Sequence, residues 1–157
     1  MIPYKPPLAD MQFALEHVVD LAALAALPGC EGADLDTVAA VLEEAAKLAR
    51  DVLAPINRSG DHEGSVVENG VVRTPTGFKE AYRTYVDGGW NSLPFEEEFG
   101  GQGLPVVVAL AVAEMWNSAN MAWALCPLLP AMLLLHMLAV LALHEAAATP
   151  LLLTVTS

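Results

Sequence analysis

The last basic side chain in this 157-residue sequence is Arg83, and from Leu104 to Ser157 the only formal charges are Glu114 and Glu145. His136 and His144 add the remaining polar punctuation. A soluble helical domain seldom runs so far without Lys or Arg, because the outer face of each amphipathic helix has to meet water. The chain therefore reads as two segments of different character. An acidic first hundred residues precede an apolar last third, with the break near Leu128 to Pro130. The length suits one domain, or one domain with an appendage. No repeat of solenoid period is visible.

Charge and cysteine usage then exclude several classes of function. Seven Lys+Arg stand against 19 Asp+Glu, a formal net charge of −12. That field repels nucleic acid, and an anionic membrane surface likewise. With 55% apolar and 17% charged residues, the chain is neither disordered nor of low complexity. Cys30 and Cys126 form no CxxC or metal-spaced cluster, so free thiols in a cytoplasmic setting are expected. The N-terminal MIPYKPPLAD has no cationic stretch leading into an apolar run, which argues against a secretory signal.

Breakers and periodicity predict a mainly α-helical bundle with a small β-hairpin ornament. Pro3, Pro6 and Pro7 make an extended entry. Leu8, Met11, Leu15, Val18 or Val19, and Ala22 recur at helical spacing, predicting one helix from Leu8 to Leu27 that Pro28-Gly29 ends. Asp34 is the expected N-cap of a second helix. Its apolar stripe runs through Val38, Val41, Leu42, Ala45, Leu48, Ala49 and Val52, and Pro55 is expected to close it. Between Asn57 and Gly77 a long loop is predicted to carry a ribbon. Asn69-Gly70 lies there between two Val-Val pairs, the signal of a type I′ turn. A third helix is expected from about Phe78 to Val86, stopped by Gly88-Gly89. An irregular stretch, WNSLPFEEEFGGQGLP, follows it. A fourth helix is expected to start after Pro105, a favoured first-turn residue, and to run towards Leu125.

Few residues carry an obvious chemistry. Gly100-Gly101-Gln102-Gly103 ahead of a helix reads either as a backbone cradle for phosphate or as a tight loop that lets two helices approach. It has neither GxGxxG nor GK[ST] spacing, which favours the tight loop. Glu96, Glu97 and Glu98 read as a solvated acidic loop rather than a cation site, since three adjacent carboxylates cannot all face one ion. His17, His62, His136 and His144 lack zinc-ligand spacing, so no metal is expected. Asp61-His62-Glu63 reads as turn residues and Cys126 as a buried structural thiol. Glu114, on an otherwise apolar helix, reads as a base in a pocket or as a buried carboxylate bonded to a neighbouring element, the second favoured. Asn117, Ser118 and Asn120 could contact a ligand or bond within the bundle.

Three runs in one order carry a resemblance: Gly89-Trp90-Asn91-Ser92-Leu93-Pro94, Glu98-Phe99-Gly100-Gly101-Gln102-Gly103-Leu104-Pro105, and Glu114-Met115-Trp116-Asn117-Ser118-Ala119-Asn120-Met121. They resemble the N-terminal domain of acyl-CoA dehydrogenases, in the branch of the 3-methylmercaptopropionyl-CoA and broad- or long-chain enzymes. Tyr4 to Phe13, Ala54-Pro55-Ile56-Asn57, Gly60-Asp61 and Pro75-Thr76-Gly77-Phe78 fit the same pattern. The resemblance covers about Met1 to Leu129. It divides the chain into an N-terminal extension helix (1–33), a helical domain (34–129) and an atypical apolar tail (130–157).

The resemblance implies a homo-oligomeric enzyme of three domains that desaturates acyl-CoA thioesters at the α,β bond. A carboxylate base removes the α proton and FAD takes up the β hydride. In that family the base lies in the C-terminal domain, and most FAD contacts come from the barrel and that domain. The N-terminal domain walls the acyl-chain cavity. Carried onto this chain, the wall falls at Trp123, Cys126 and Pro127. The loop Phe99, Gly100, Gly101, Gln102, Gly103 and Leu104 is expected near flavin and substrate. No residue here matches the base, so no catalytic residue is assigned. The chain alone is expected to hold no FAD stably.

After Leu129 the family pattern stops, and Pro130 to Leu141 and Leu151 to Ser157 replace the stretch that leads into the flavin-binding barrel. A shifted frame or a truncated gene would produce such a tail. Met121 to Leu143 is long enough to span a bilayer, but Pro127 and Pro130 interrupt it and no cation flanks it, so a membrane anchor is disfavoured. Two functions are thus expected. The chain is either the N-terminal part of an FAD-dependent acyl-CoA dehydrogenase, inactive alone, or a non-catalytic helical remnant or docking module.

Overall fold

The computed structural model describes residues 3–30 and 32–155, with the side chains of those up to residue 129 and of Leu133, Met137 and Val140. The chain divides into two compact units, Met1–Ala124 and Leu125–Ser157. Helices dominate, and a two-stranded antiparallel ribbon is the only sheet among the described residues. This is the mainly helical architecture with a hairpin that the sequence predicts.

The first predicted helix is broken. Helix α1, Leu8–Phe13, widens into a π turn over Ala14–Val18, and α2, Leu21–Ala25, starts afresh after Asp20. Asp20 takes a left-handed conformation at φ 58°, and its carboxylate caps α2 by accepting from Ala23 N at 3.2 Å. The wide turn and the break reset the helical register. Leu15 and Leu21 are buried, whereas Val18, Val19 and Ala22, expected on the apolar stripe, face solvent. An unbroken helix would have kept the stripe on one face; the π turn and the break at Asp20 turn its later positions outward.

Helix α3, Leu35–Leu48, follows its prediction closely. Asp34 caps it through Thr37 N at 2.9 Å, and the Thr37 hydroxyl, followed by that amide, holds the Asp34 carboxyl below its usual pKa. Every residue of the predicted stripe is buried or half-buried, and Glu43, Glu44, Lys47, Arg50 and Asp51 are exposed. Pro55 does not close the helix. A π turn at Ala49–Leu53 leads directly into α4, Ala54–Glu63, with Pro55 in its first turn. The proline is tolerated there because the π turn just before it already departs from the i to i−4 hydrogen-bond ladder. The predicted loop is shorter accordingly. Asp61, His62 and Glu63 form the last turn of α4 rather than a loop turn.

The ribbon pairs β1, Val66–Glu68, with β2, Val71–Arg73, around Asn69-Gly70. Both turn residues have positive φ, 52° and 79°, as a type I′ turn demands. Glu63 fastens the ribbon's far end by accepting from Thr76 N at 2.7 Å. Helix α5, Phe78–Asp87, ends at Gly88 as expected. Gly60 of α4 lies under the Phe78 ring, where a Cβ would come within 2.6 Å of Cζ.

Helix α6, Val106–Val155, starts directly after Pro105 as expected, with Val108 N bonding to Pro105 O. It is two helical runs, because Asn120 interrupts it at φ −160° and ψ 86°. Asn120 Oδ1 accepts from Trp123 N at 3.1 Å, so the buried amide caps the second run. Its Nδ2 donates to Leu53 O at 3.3 Å. Val108, Val112, Met115, Trp116 and Ala119 point into the core. Glu114 lies on the opposite side and is exposed, which overturns both readings made for it.

In the second unit, Leu125, Leu129, Leu133, Met137 and Val140 are exposed at steps of three and four residues. In the run Met121 to Leu143, weighed above as a membrane segment, most side chains beyond residue 129 lie outside the described residues. Among the described residues no helix is long and apolar enough to cross a membrane.

Candidate functional site

The stretch from Gly89 to Leu104 is fixed by its own backbone. Short 3₁₀ turns at Trp90–Ser92 and Glu97–Phe99 bring the glycine run back onto the segment before it. Gly100 N donates to Glu97 O, Gly101 N to Glu96 O, Gln102 N to Ser92 O, Gly103 N to Phe95 O and Leu104 N to Leu93 O, all between 2.9 and 3.1 Å. Gly101 is required by this closure. A Cβ there would sit inside the van der Waals shell of the Phe95 carbonyl. The close approach occurs within one loop, not between two helices as the tight-loop reading had it.

Five consecutive amides are thereby consumed. A pyrophosphate held at a glycine-rich turn needs amides pointing outward. This loop does not fit the phosphates of FAD. The contribution it can make is a surface. Phe99 stands at its tip, 77% exposed, beside the exposed carboxylates of Glu96, Glu97 and Glu98. Leu104 turns inward and is buried.

Sequence reasoning missed what fastens the loop. The Gly89 carbonyl accepts from Ser92 N, Ser92 Oγ and Gln102 Nε2, the last at 2.9 Å. Gln102 therefore belongs to the loop's support. The signal available was the pairing of Gly-Trp-Asn-Ser with Gly-Gly-Gln-Gly thirteen residues on, where a long amide side chain can span what glycines leave open.

Trp123 lies in an aromatic core. Its Nε1 donates to Phe78 O at 3.2 Å, and its ring meets Tyr85 edge-on with centroids 5.5 Å apart. Tyr85 also meets Trp116, and Trp116 meets Trp90 at 5.4 Å, so all three tryptophans of the sequence join one chain of edge contacts. Trp123 is 2% exposed. In the second unit, Cys126 is exposed and Pro127 buried. The expectation of a buried structural thiol at Cys126 is thus corrected: its position in the helix turns it outward.

The other polar candidates bond locally. Asn117 Nδ2 donates to Ala113 O within α6. Ser118 lies beside the Tyr4 hydroxyl, whose pKa burial pushes up; Ser118 opposes that shift and the Glu114 carboxylate adds to it. Among the described residues no three His, Cys, Asp or Glu side chains are grouped to hold a metal ion.

The family model described as acyl-CoA dehydrogenase, N-terminal domain, matches residues 35–149. The match takes in residues on both sides of Leu129. The chain is 44% identical over 126 residues to 3-methylmercaptopropionyl-CoA dehydrogenase of Ruegeria pomeroyi, covering 80% of this chain and 21% of that protein. It is 28% identical over 121 residues to butyryl-CoA dehydrogenase of Syntrophomonas wolfei, covering 74% and 20%. It is 27% identical over 119 residues to the broad-specificity linear acyl-CoA dehydrogenase FadE5 of Mycobacterium tuberculosis, covering 74% and 20%. The chain spans about a fifth of the length of these curated relatives.

Proposed function

Because this chain belongs to the acyl-CoA dehydrogenase N-terminal domain family, we propose that it serves as the helical domain that walls the acyl pocket in an FAD-dependent α,β-desaturation of acyl-CoA thioesters. The carrying observation is the self-bonded Gly89–Leu104 loop, which presents Phe99 as a rigid, exposed apolar tip. A wall needs shape and apolar surface, and catalysis by such a domain is indirect. It excludes water and holds the chain of the thioester in register with the reacting carbons.

The proposed wall consists of Phe99 with the turn Gly100–Leu104, backed by Trp123. The resemblance carries the same proposal to Cys126 and Pro127. FAD in the whole enzyme supplies the hydride acceptor. Here the five loop amides are already spent, and the domain alone holds neither flavin nor activity. Acyl-CoA is the substrate class, and a homo-oligomer is the proposed assembly.

Two measurements test this reading. The purified 157-residue chain is expected to show no flavin absorbance and no acyl-CoA-dependent turnover; stoichiometric flavin would overturn the inactivity. A chimera carrying residues 3–129 in place of the matching segment of the Ruegeria pomeroyi enzyme is expected to bind flavin and to turn over. In it, Phe99→Ala should lower kcat/KM unevenly across acyl chain lengths. A flavin-loaded chimera whose chain-length profile ignores Phe99→Ala removes the loop from the pocket and leaves a non-catalytic packing role.

A further inference from the structure

A groove of about 920 Å³ opens where the N-terminal segment crosses α4 and the middle of α6 in the first unit. Its floor is apolar, made by Pro3, Ala54, Pro55, Ala119 and Ala122. Its rim is not. Lys5, Arg50 and Arg58 all line it, together with Asp61, and the Asp51 carboxylate pairs Arg50. The sequence holds only seven Lys and Arg among 19 acidic residues, so three of the seven meet in one place.

The cations are held in place rather than dispersed. Asp51 grips Arg50 with both oxygens, at 2.8 Å to Nε and 2.7 Å to Nη2, and fixes the plane of its guanidinium. Arg58 Nε donates to His62 Nε2 at 3.4 Å, one helical turn on. Asn57 and Ser118 add neutral hydrogen-bonding groups to the lining. The volume lies in the range of small-molecule sites, which combine an apolar lining with a few placed polar groups. An extended polyanion would meet the surrounding negative surface, whereas a small anion meets only the rim.

We propose that this groove binds a phosphorylated organic small molecule, its phosphate at Lys5, Arg50 and Arg58 and its carbon framework on the Ala54–Pro55 and Ala119–Ala122 floor. The site is separate from the Gly89–Leu104 loop and does not depend on the acyl-pocket reading.

The test is titration of the 157-residue chain with inorganic pyrophosphate and with ADP at low ionic strength, followed by amide NMR. Pyrophosphate is expected to shift the signals of Lys5, Arg50, Arg58 and Ser118, and ADP to bind about tenfold more tightly because the floor is engaged. Arg58→Gln and Lys5→Gln, both at exposed positions, should each weaken ADP about tenfold while leaving signals far from the groove unchanged. Shifts scattered over the surface, equal affinity of both variants and wild type, or ADP no tighter than pyrophosphate would each overturn the assignment.

Discussion

The side-chain amide of Asn120 donates to the backbone carbonyl of Leu53, 67 residues earlier, and with its oxygen caps the helical run that begins after it. One buried side chain thus ends one helix, starts another and ties both to the π turn between α3 and α4.

Replacing it separates these roles. Asn120→Ala is expected to cost about 2–3 kcal/mol, a lost cap plus a lost buried hydrogen bond. Asn120→Asp retains the cap acceptor but cannot donate to Leu53, and buries a charge. Its loss should be larger at neutral pH and shrink as the new carboxyl is protonated. Urea unfolding at pH 7 and pH 4 checks both; equal loss at the two pH values would contradict the buried-charge account.

The glycine run makes a sharper prediction. Gly101→Ala drives a methyl into the Phe95 carbonyl and should cost about 3 kcal/mol or unlatch the loop. Gly100→Ala meets no atom within 4 Å and should cost only about 1 kcal/mol, for its left-handed backbone. Paired thermal melts decide. Equal losses would mean that the loop yields freely.

Much of this was legible in the sequence, and the reasons differ by element. Asp34, the α3 stripe and Asn69-Gly70 announce themselves because cap, period and turn chemistry act over a few residues. The break at Asp20 was hidden because a left-handed Asp has no composition signal, and the continuation through Pro55 because a π turn upstream changes what a proline breaks. At the site, the motif located the loop. Its closure by the Gln102 side chain on the Gly89 carbonyl spans thirteen residues, and only the pairing of the two glycine motifs signalled it. Glu114 and Cys126 were misplaced for one reason: an apolar helix of low charge gives weak evidence of which side is out.

Trp123→Phe keeps an aromatic ring near Tyr85 but removes the Nε1 donor to Phe78 and part of the buried indole volume. About 2–3 kcal/mol of stability should be lost, with near-UV dichroism of the aromatic chain reduced but not abolished. No loss in guanidinium unfolding would show that this hydrogen bond contributes nothing net.

Acid should loosen the ribbon before the core. The Thr76 amide holds the Glu63 carboxyl below its ordinary value of 4.5. A depressed folded value means that the stabilisation is complete above the unfolded value and is lost as pH falls through the folded one. Protection of the Thr76 amide, measured as exchange relative to its intrinsic rate at each pH, should therefore fall once the pH drops below the ordinary carboxylate value of 4.5, and Glu63→Gln should remove that dependence. A variant whose exchange profile overlays the wild type in acid would refute the assignment.

The five spent amides of the Gly100–Leu104 turn have a consequence for whatever docks against Phe99. The turn's backbone freedom is surrendered during folding, so a hydrocarbon chain docking there, as proposed above, would meet a surface that owes no further entropy. Discrimination at such a tip comes from fit alone: a ligand of the wrong length cannot recruit the loop to move towards it.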